Sequence, residues 1–178
     1  EFISILDKIY KNGELIIHKN LNLTYGAKKG KVLDPIIYHN MVTELDKYTN
    51  IFDQCDVILI EQQMNFGKVK NNMAIKLAQH CYSYFILKYP KKKIGNITFD
   101  DSKEIIDYPA YHKTQVLNAP KGMIKSERKK WAVERVQEIF TMLGRLNYFD
   151  GVKKKDDLAD TYLQLQSFKY LRYVEGVI

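Results

Sequence analysis

Four consecutive apolar residues, Val57 to Ile60, run directly into Glu61, and this stretch constrains the fold more than any other in the sequence. A short, uninterrupted apolar run bounded by polar residues suits a strand buried on both faces of a sheet. After the polar stretch Gln62 to Lys70, residues Ala74, Leu77, Ala78, Cys81 and Phe85 recur at i, i+3, i+4, i+7 and i+11. That spacing predicts an amphipathic helix over Asn72 to Lys88, stopped by Pro90.

The flanking sequence extends this pattern in both directions. Residues 2 to 23 alternate around Asn12-Gly13, a strong hairpin signal, and Asp34-Pro35 offers an N-cap followed by a proline at the first helical position. A helix is expected from Pro35 to about Thr49. Ile94 to Phe99 and Glu104 to Tyr108 read as a further strand pair, and residues 109 to 124 as a long loop or a strand with a loop. Ala132, Val136, Ile139, Phe140 and Leu143 set a helical stripe over Ser126 to Arg145, and a last helix is expected from about Asp156 to Tyr173. Strands alternating with helices after an opening meander indicate an α/β fold with a sheet of mixed direction. A chain of 178 residues with 46% hydrophobic content suits a single domain over residues 1 to 178.

Several classes fall away. No apolar run approaches the roughly 20 residues of a membrane-spanning helix, so no membrane partner is expected. Cys55 and Cys81 have neither metal-type spacing nor a disulfide framework, which implies free thiols in an intracellular setting. The formal charge of +7 adds a partner class. His112 to Lys155 carries 11 basic against 4 acidic residues, an excess equal to that of the whole chain. Localised positive charge of this kind favours a nucleic-acid footprint. Only four of the 28 basic residues are Arg, a bias expected from AT-rich coding, so the basic signal is discounted accordingly.

Carboxylates supply the chemistry. Glu61 at the end of a buried strand needs a partner, because burying a charge is costly unless it is paired or bound to a cation. In KKKDDLADTYLQ, Asp157 and Asp160 lie three apart and share one helix face, which Gln164 extends, while Leu158, Tyr162 and Leu165 should pack inward. Clustered carboxylates suit Mg²⁺, which takes oxygen ligands and commonly joins one or two carboxylates to substrate phosphates. Two such ions can activate water and stabilise the leaving oxygen of a phosphodiester. The alternative has Asp157 and Asp160 favouring the positive end of their helix and Glu61 paired with a lysine; Asp156 itself is assigned to capping that helix.

These residues carry a resemblance. VILIEQQM at 57 to 64, NNMAIKLAQHCYSYF at 71 to 85, PAYHKTQVLNAPKG at 109 to 122, SERKKWAVE at 126 to 134 and KKDDLADTYLQ at 154 to 164 run in one order across nearly the whole chain. In this the chain resembles the poxvirus-type Holliday junction resolvases, relatives of the bacterial RuvC resolvase in the RNase H-like superfamily. The resemblance implies an RNase H-like mixed sheet flanked by helices and a Mg²⁺-dependent endonuclease, with Mn²⁺ as a substitute. It further implies a homodimer that cuts four-way DNA junctions, in a viral setting in the host cytoplasm or nucleus. Glu61, Asp157 and Asp160 match the family's metal-binding catalytic carboxylates. Lys129 or Lys130 falls where the family has a basic residue near the scissile phosphate, and Lys130 is taken as the catalytic candidate. The family's first-strand aspartate, in a DxG-like motif, has no match, so the sequence is expected to start just after that strand.

The basic window has support of its own. Ser126 would cap a helix whose first turns hold Arg128, Lys129 and Lys130, where the helix dipole disfavours cations. That placement implies an anion shared among them, the alternative being a solvated surface face. Lys113, Lys121, Lys125, Arg128 and Lys129, all in the basic window, are the DNA-contact candidates. Tyr111 and His112 could stack on bases, and His18, His39 and His80 read as structural or surface residues. Two rival readings remain: a non-catalytic nucleic-acid-binding module on the same fold, and a generic RNase H-like nuclease.

Overall fold

A computed structural model describes residues 15–28, 30, 32–63, 71–90, 92–94, 97–99, 103–144 and 149–178. The architecture is mixed α/β, with a small parallel two-stranded sheet, a separate two-stranded hairpin and several helices. The chain divides into two compact units, Leu21–Pro109 and the combination of Glu1–Asn20 with Ala110–Ile178.

In the unit Leu21–Pro109, helix α1 (Pro35–Asp46) starts where Asp34 accepts the Ile36 amide at 3.0 Å and the Lys28 amide at 2.9 Å. Both bonds hold the Asp34 carboxyl below its ordinary range. The helix ends before the expected Thr49, and Thr49–Phe52 forms a separate short helix α2. Strand β1 (Val57–Gln62) follows, then α3 (Asn72–Lys88), whose Asn71 cap accepts the Ala74 amide at 3.2 Å. Next come β2 (Lys92–Ile94) and β3 (Ile97–Phe99), which pair antiparallel, and β4 (Glu104–Pro109). β4 pairs with β1 in parallel, Val57 opposite Glu104 and Gln62 opposite Pro109. Parallel neighbours need a crossover, and α3 lies within it.

This corrects the expected pairing: residues 94 to 99 span two strands, and Glu104–Pro109 joins β1. Ile58, Ile60 and Phe85 form the core of this unit, packed by Leu45, Phe52, Ala78, Cys81 and Ile105. Burial pushes the Cys81 thiol up to about 11, so it stays protonated and unreactive near neutrality.

The other unit is helical. A short helix α4 (His112–Val116) lies where a long loop, or a strand with a loop, is expected over residues 109 to 124. Helix α5 spans Lys125–Met142 and α6 spans Lys155–Tyr170, the latter continuing into a π-helical turn, Leu171–Glu175. Ser126 is not the cap of α5; the Glu127 carboxylate instead accepts the Ile124 amide at 2.8 Å, one turn back. α6 likewise starts after Lys154, in a left-handed conformation (φ 56°), and not at a capping Asp156. Residues 15–23 form no strand, and the rest of the expected opening hairpin lies outside the described residues. Trp131, Ala132, Val136, Ile139 and Phe140 of α5 pack on Leu158, Ala159, Tyr162 and Leu163 of α6, with Leu117 and Phe149 closing the core. Leu165 is exposed and Gln164 is buried, so the inward stripe of α6 is rotated from the expected one.

Candidate functional site

The first turns of α6 carry Asp156, Asp157 and Asp160. Their placement follows from the core: Leu158, Ala159, Tyr162 and Leu163 face inward, which leaves Asp157 exposed and Asp160 half-buried at the rim. Two lysines from neighbouring helices reach these carboxylates. Lys113 of α4 lies 2.9 Å from Asp160, with the lysine side chain only 12% exposed. Lys129 of α5 pairs with Asp156.

That second pair perturbs both groups in the directions a close ion pair requires. The hydrogen bond from Lys129 holds the Asp156 carboxyl below its ordinary range. The same bond, helped by the charges of Asp156, Asp157 and Asp160, raises the Lys129 ammonium. Lys129 is therefore the basic residue that feels all three aspartates. Lys130 points elsewhere and pairs with Glu134 at 3.6 Å, one turn along its own helix, in an exposed position. The anion implied by cations at the start of α5 is thus, for Lys129, a carboxylate of α6.

Sequence reasoning missed the role of Asp156, having given it to capping. The available signal was Lys154 and Lys155 before it, which leave no capping side chain at the helix start. Lys121, Lys125 and Arg128 are exposed around the start of α5, and Arg128 donates from Nη1 to the Met123 carbonyl at 2.7 Å. Tyr111 is exposed, with its ring 4.4 Å from that of His112. His18 is half-buried, its Nε2 2.9 Å from the Leu158 carbonyl on α6.

Glu61 belongs to the other unit. It occupies β1 opposite Tyr108 and is exposed, which corrects the expectation of a buried strand-end carboxylate. Next to it, the Gln62 amide donates to Asp107 at 3.4 Å, an acidic residue that the sequence did not single out.

Among the described residues no group of three or more His, Cys, Asp or Glu side chains is arranged to hold a metal ion. Mg²⁺ asks less of a protein, since one or two carboxylates suffice when phosphate and water supply the remaining oxygens. Asp157 and Asp160, one turn apart on α6, offer that number of hard oxygen donors. Among the described residues no helix is long and apolar enough to cross a membrane.

Comparison with known proteins places similar chains in iridescent viruses. The chain is 34% identical over 126 residues to "Uncharacterized protein 97L" of Invertebrate iridescent virus 3, an alignment covering 70% of this chain and 53% of that protein. It is 25% identical over 206 residues to "Uncharacterized protein 170L" of Invertebrate iridescent virus 6, covering 96% of this chain and 78% of that protein. The chain thus spans about half the length of the first of these relatives. No family model matches the sequence. No solved structure matches it either.

Proposed function

We propose that this protein is a Mg²⁺-dependent, structure-selective endodeoxyribonuclease of RNase H-like architecture that resolves four-way DNA junctions in a viral setting. The observation that carries the reading is the pairing of Asp160 with Lys113 and of Asp156 with Lys129, the lysines supplied by two other helices of the same unit, with Asp157 on the same turns of α6. Phosphodiester hydrolysis needs both signs of charge at one place: carboxylates for a divalent cation and cations for the phosphate.

Asp157 and Asp160 would hold Mg²⁺. When bound, the ion supplies Lewis acidity toward the phosphoryl oxygen and lowers the pKa of water. Lys129 and Lys113 are positioned to trade carboxylate partners for phosphate oxygens as DNA arrives, and Lys129 would offset charge that develops on the phosphate. Exposed Lys121, Lys125 and Arg128 would grip the surrounding backbone, with Lys130 a peripheral contact. Glu61 enters through the resemblance, as a further carboxylate of the same chemistry. A two-fold dimer would supply one active site per strand cut.

One observation favours a second reading. Lys113 and Lys129 already neutralise two of the three aspartates, as in a binding module that needs no metal. Single-turnover assays of the full-length protein on a four-way junction, a linear duplex and an RNA–DNA hybrid, with and without Mg²⁺, separate these readings. Metal-dependent cutting of the junction alone supports the proposal. Cutting of the hybrid indicates a generic nuclease, and tight binding without cutting indicates the module.

A further inference from the structure

We infer that the cleft between the end of α4 and the start of α5 is an adenine-nucleotide subsite. In it Lys121 and Arg128 would take the phosphate, and the amides of Gln115 and Asn118 the base edge. This deepens the proposed function by giving DNA binding a sequence preference, and it rests on DNA being the ligand.

The cleft is an open concavity of about 500 Å³, within the roughly 300–1,000 Å³ typical of small-ligand sites. A concavity of that size takes one nucleotide and not the width of a duplex, so the base would enter unpaired. Its wall is fixed by the backbone. Asn118 adopts the left-handed conformation (φ 57°), and the Ala119 amide donates to the Thr114 carbonyl at 2.9 Å, closing α4 in the manner of a Schellman motif. Arg128 commits one of its guanidinium donors to the Met123 carbonyl, which holds the fork at the rim while the other donors stay in position for phosphate oxygens. Asn and Gln amides match the donor and acceptor pair on adenine N6 and N7.

Binding without Mg²⁺ tests this apart from catalysis. Anisotropy titrations of the full-length protein with short oligodeoxyadenylate and oligodeoxycytidylate should show about a tenfold preference for adenine. The double variant Gln115→Ala/Asn118→Gly, which keeps a residue tolerant of positive φ, should lose that preference with its salt dependence unchanged. Lys121→Ala/Arg128→Ala should bind both oligonucleotides more weakly and lower the log-log salt slope by about 1.4 units, about 0.7 for each contact to a single strand. No preference in the wild type, or a preference that survives in the amide double variant, overturns the inference. Junction cleavage on the same preparations keeps the two ideas distinct: cutting with no cleft-dependent preference removes the subsite alone. A cleft-dependent preference without cutting removes the nuclease reading alone.

Discussion

Lys113 on α4 reaches across to Asp160 on α6 at 2.9 Å, and the lysine side chain is the more buried of the two. Replacing Lys113 by Ala leaves a half-buried carboxylate without that partner, and because water still reaches Asp160 the cost falls at the low end of the penalty for an unsatisfied polar group, about 1 kcal/mol. Urea denaturation should show a destabilisation of this size for Lys113→Ala. The exposed control Lys76→Ala should change stability by less than about 0.5 kcal/mol. Equal midpoints for the two variants would mean the pair contributes nothing to the fold.

His18 makes stability depend on pH. Burial lowers its imidazole below the ordinary 6.5, only partly opposed by the hydrogen bond with Leu158. Between the lowered folded value and 6.5 the unfolded chain binds more protons than the folded one, so this contribution is complete above pH 6.5 and is lost as pH falls through the folded value. His112, also lowered by burial, acts in the same sense. Thermal midpoints should therefore fall on acidification from pH 7 to pH 5, and His18→Gln should make that fall shallower. An unchanged pH profile in the variant would exclude His18 as a contributor.

Local signals were the legible ones. Asn72–Lys88 matched its periodicity because the apolar spacing and the Pro90 stop agreed with each other. The parallel partnership of β1 with β4 was not legible: residues distant in sequence choose partners by packing, and Ile105 meeting the Ile58 and Ile60 core carries no local mark. Asp157 and Asp160 were readable as one face of a helix. The choice of Lys129 over Lys130 as their neighbour depends on which turn of α5 faces α6, and that is fixed by Trp131 and Ala132 entering the core. The starts of α5 and α6 misled because Ser126 and Asp156 have the chemistry of caps, while the Glu127 carboxylate accepts the Ile124 amide and Lys129 engages the Asp156 carboxylate.

Charge on α5 should set the salt dependence of DNA binding. Every lysine–phosphate interaction removed flattens the log-log slope by about 0.9 on duplex DNA. Replacing Lys125, Lys129 and Lys130 together by Ala should therefore weaken junction binding and flatten the slope by up to about 2.7. A control altered at Lys28, Lys47 and Lys76, all in the other unit, should keep the wild-type slope. Identical slopes would make the α5 lysines a solvated face.

Symmetric cutting of a four-way junction requires two active sites, which a two-fold dimer supplies. Sedimentation of the full-length protein at micromolar concentration should show a dimer, alone or on junction DNA. A species that stays monomeric on the junction would favour a generic nuclease.

The most direct measurement is single-turnover cleavage of a four-way junction in Mg²⁺ by the wild type and by Asp157→Asn, Asp160→Asn and Glu61→Gln, with junction affinity measured alongside. Metal-dependent cutting by the wild type and at least a hundredfold loss in each variant, with affinity within about threefold because phosphate contacts dominate binding, is the predicted result. Undiminished turnover in all three variants, or no cutting by the wild type, would contradict the account.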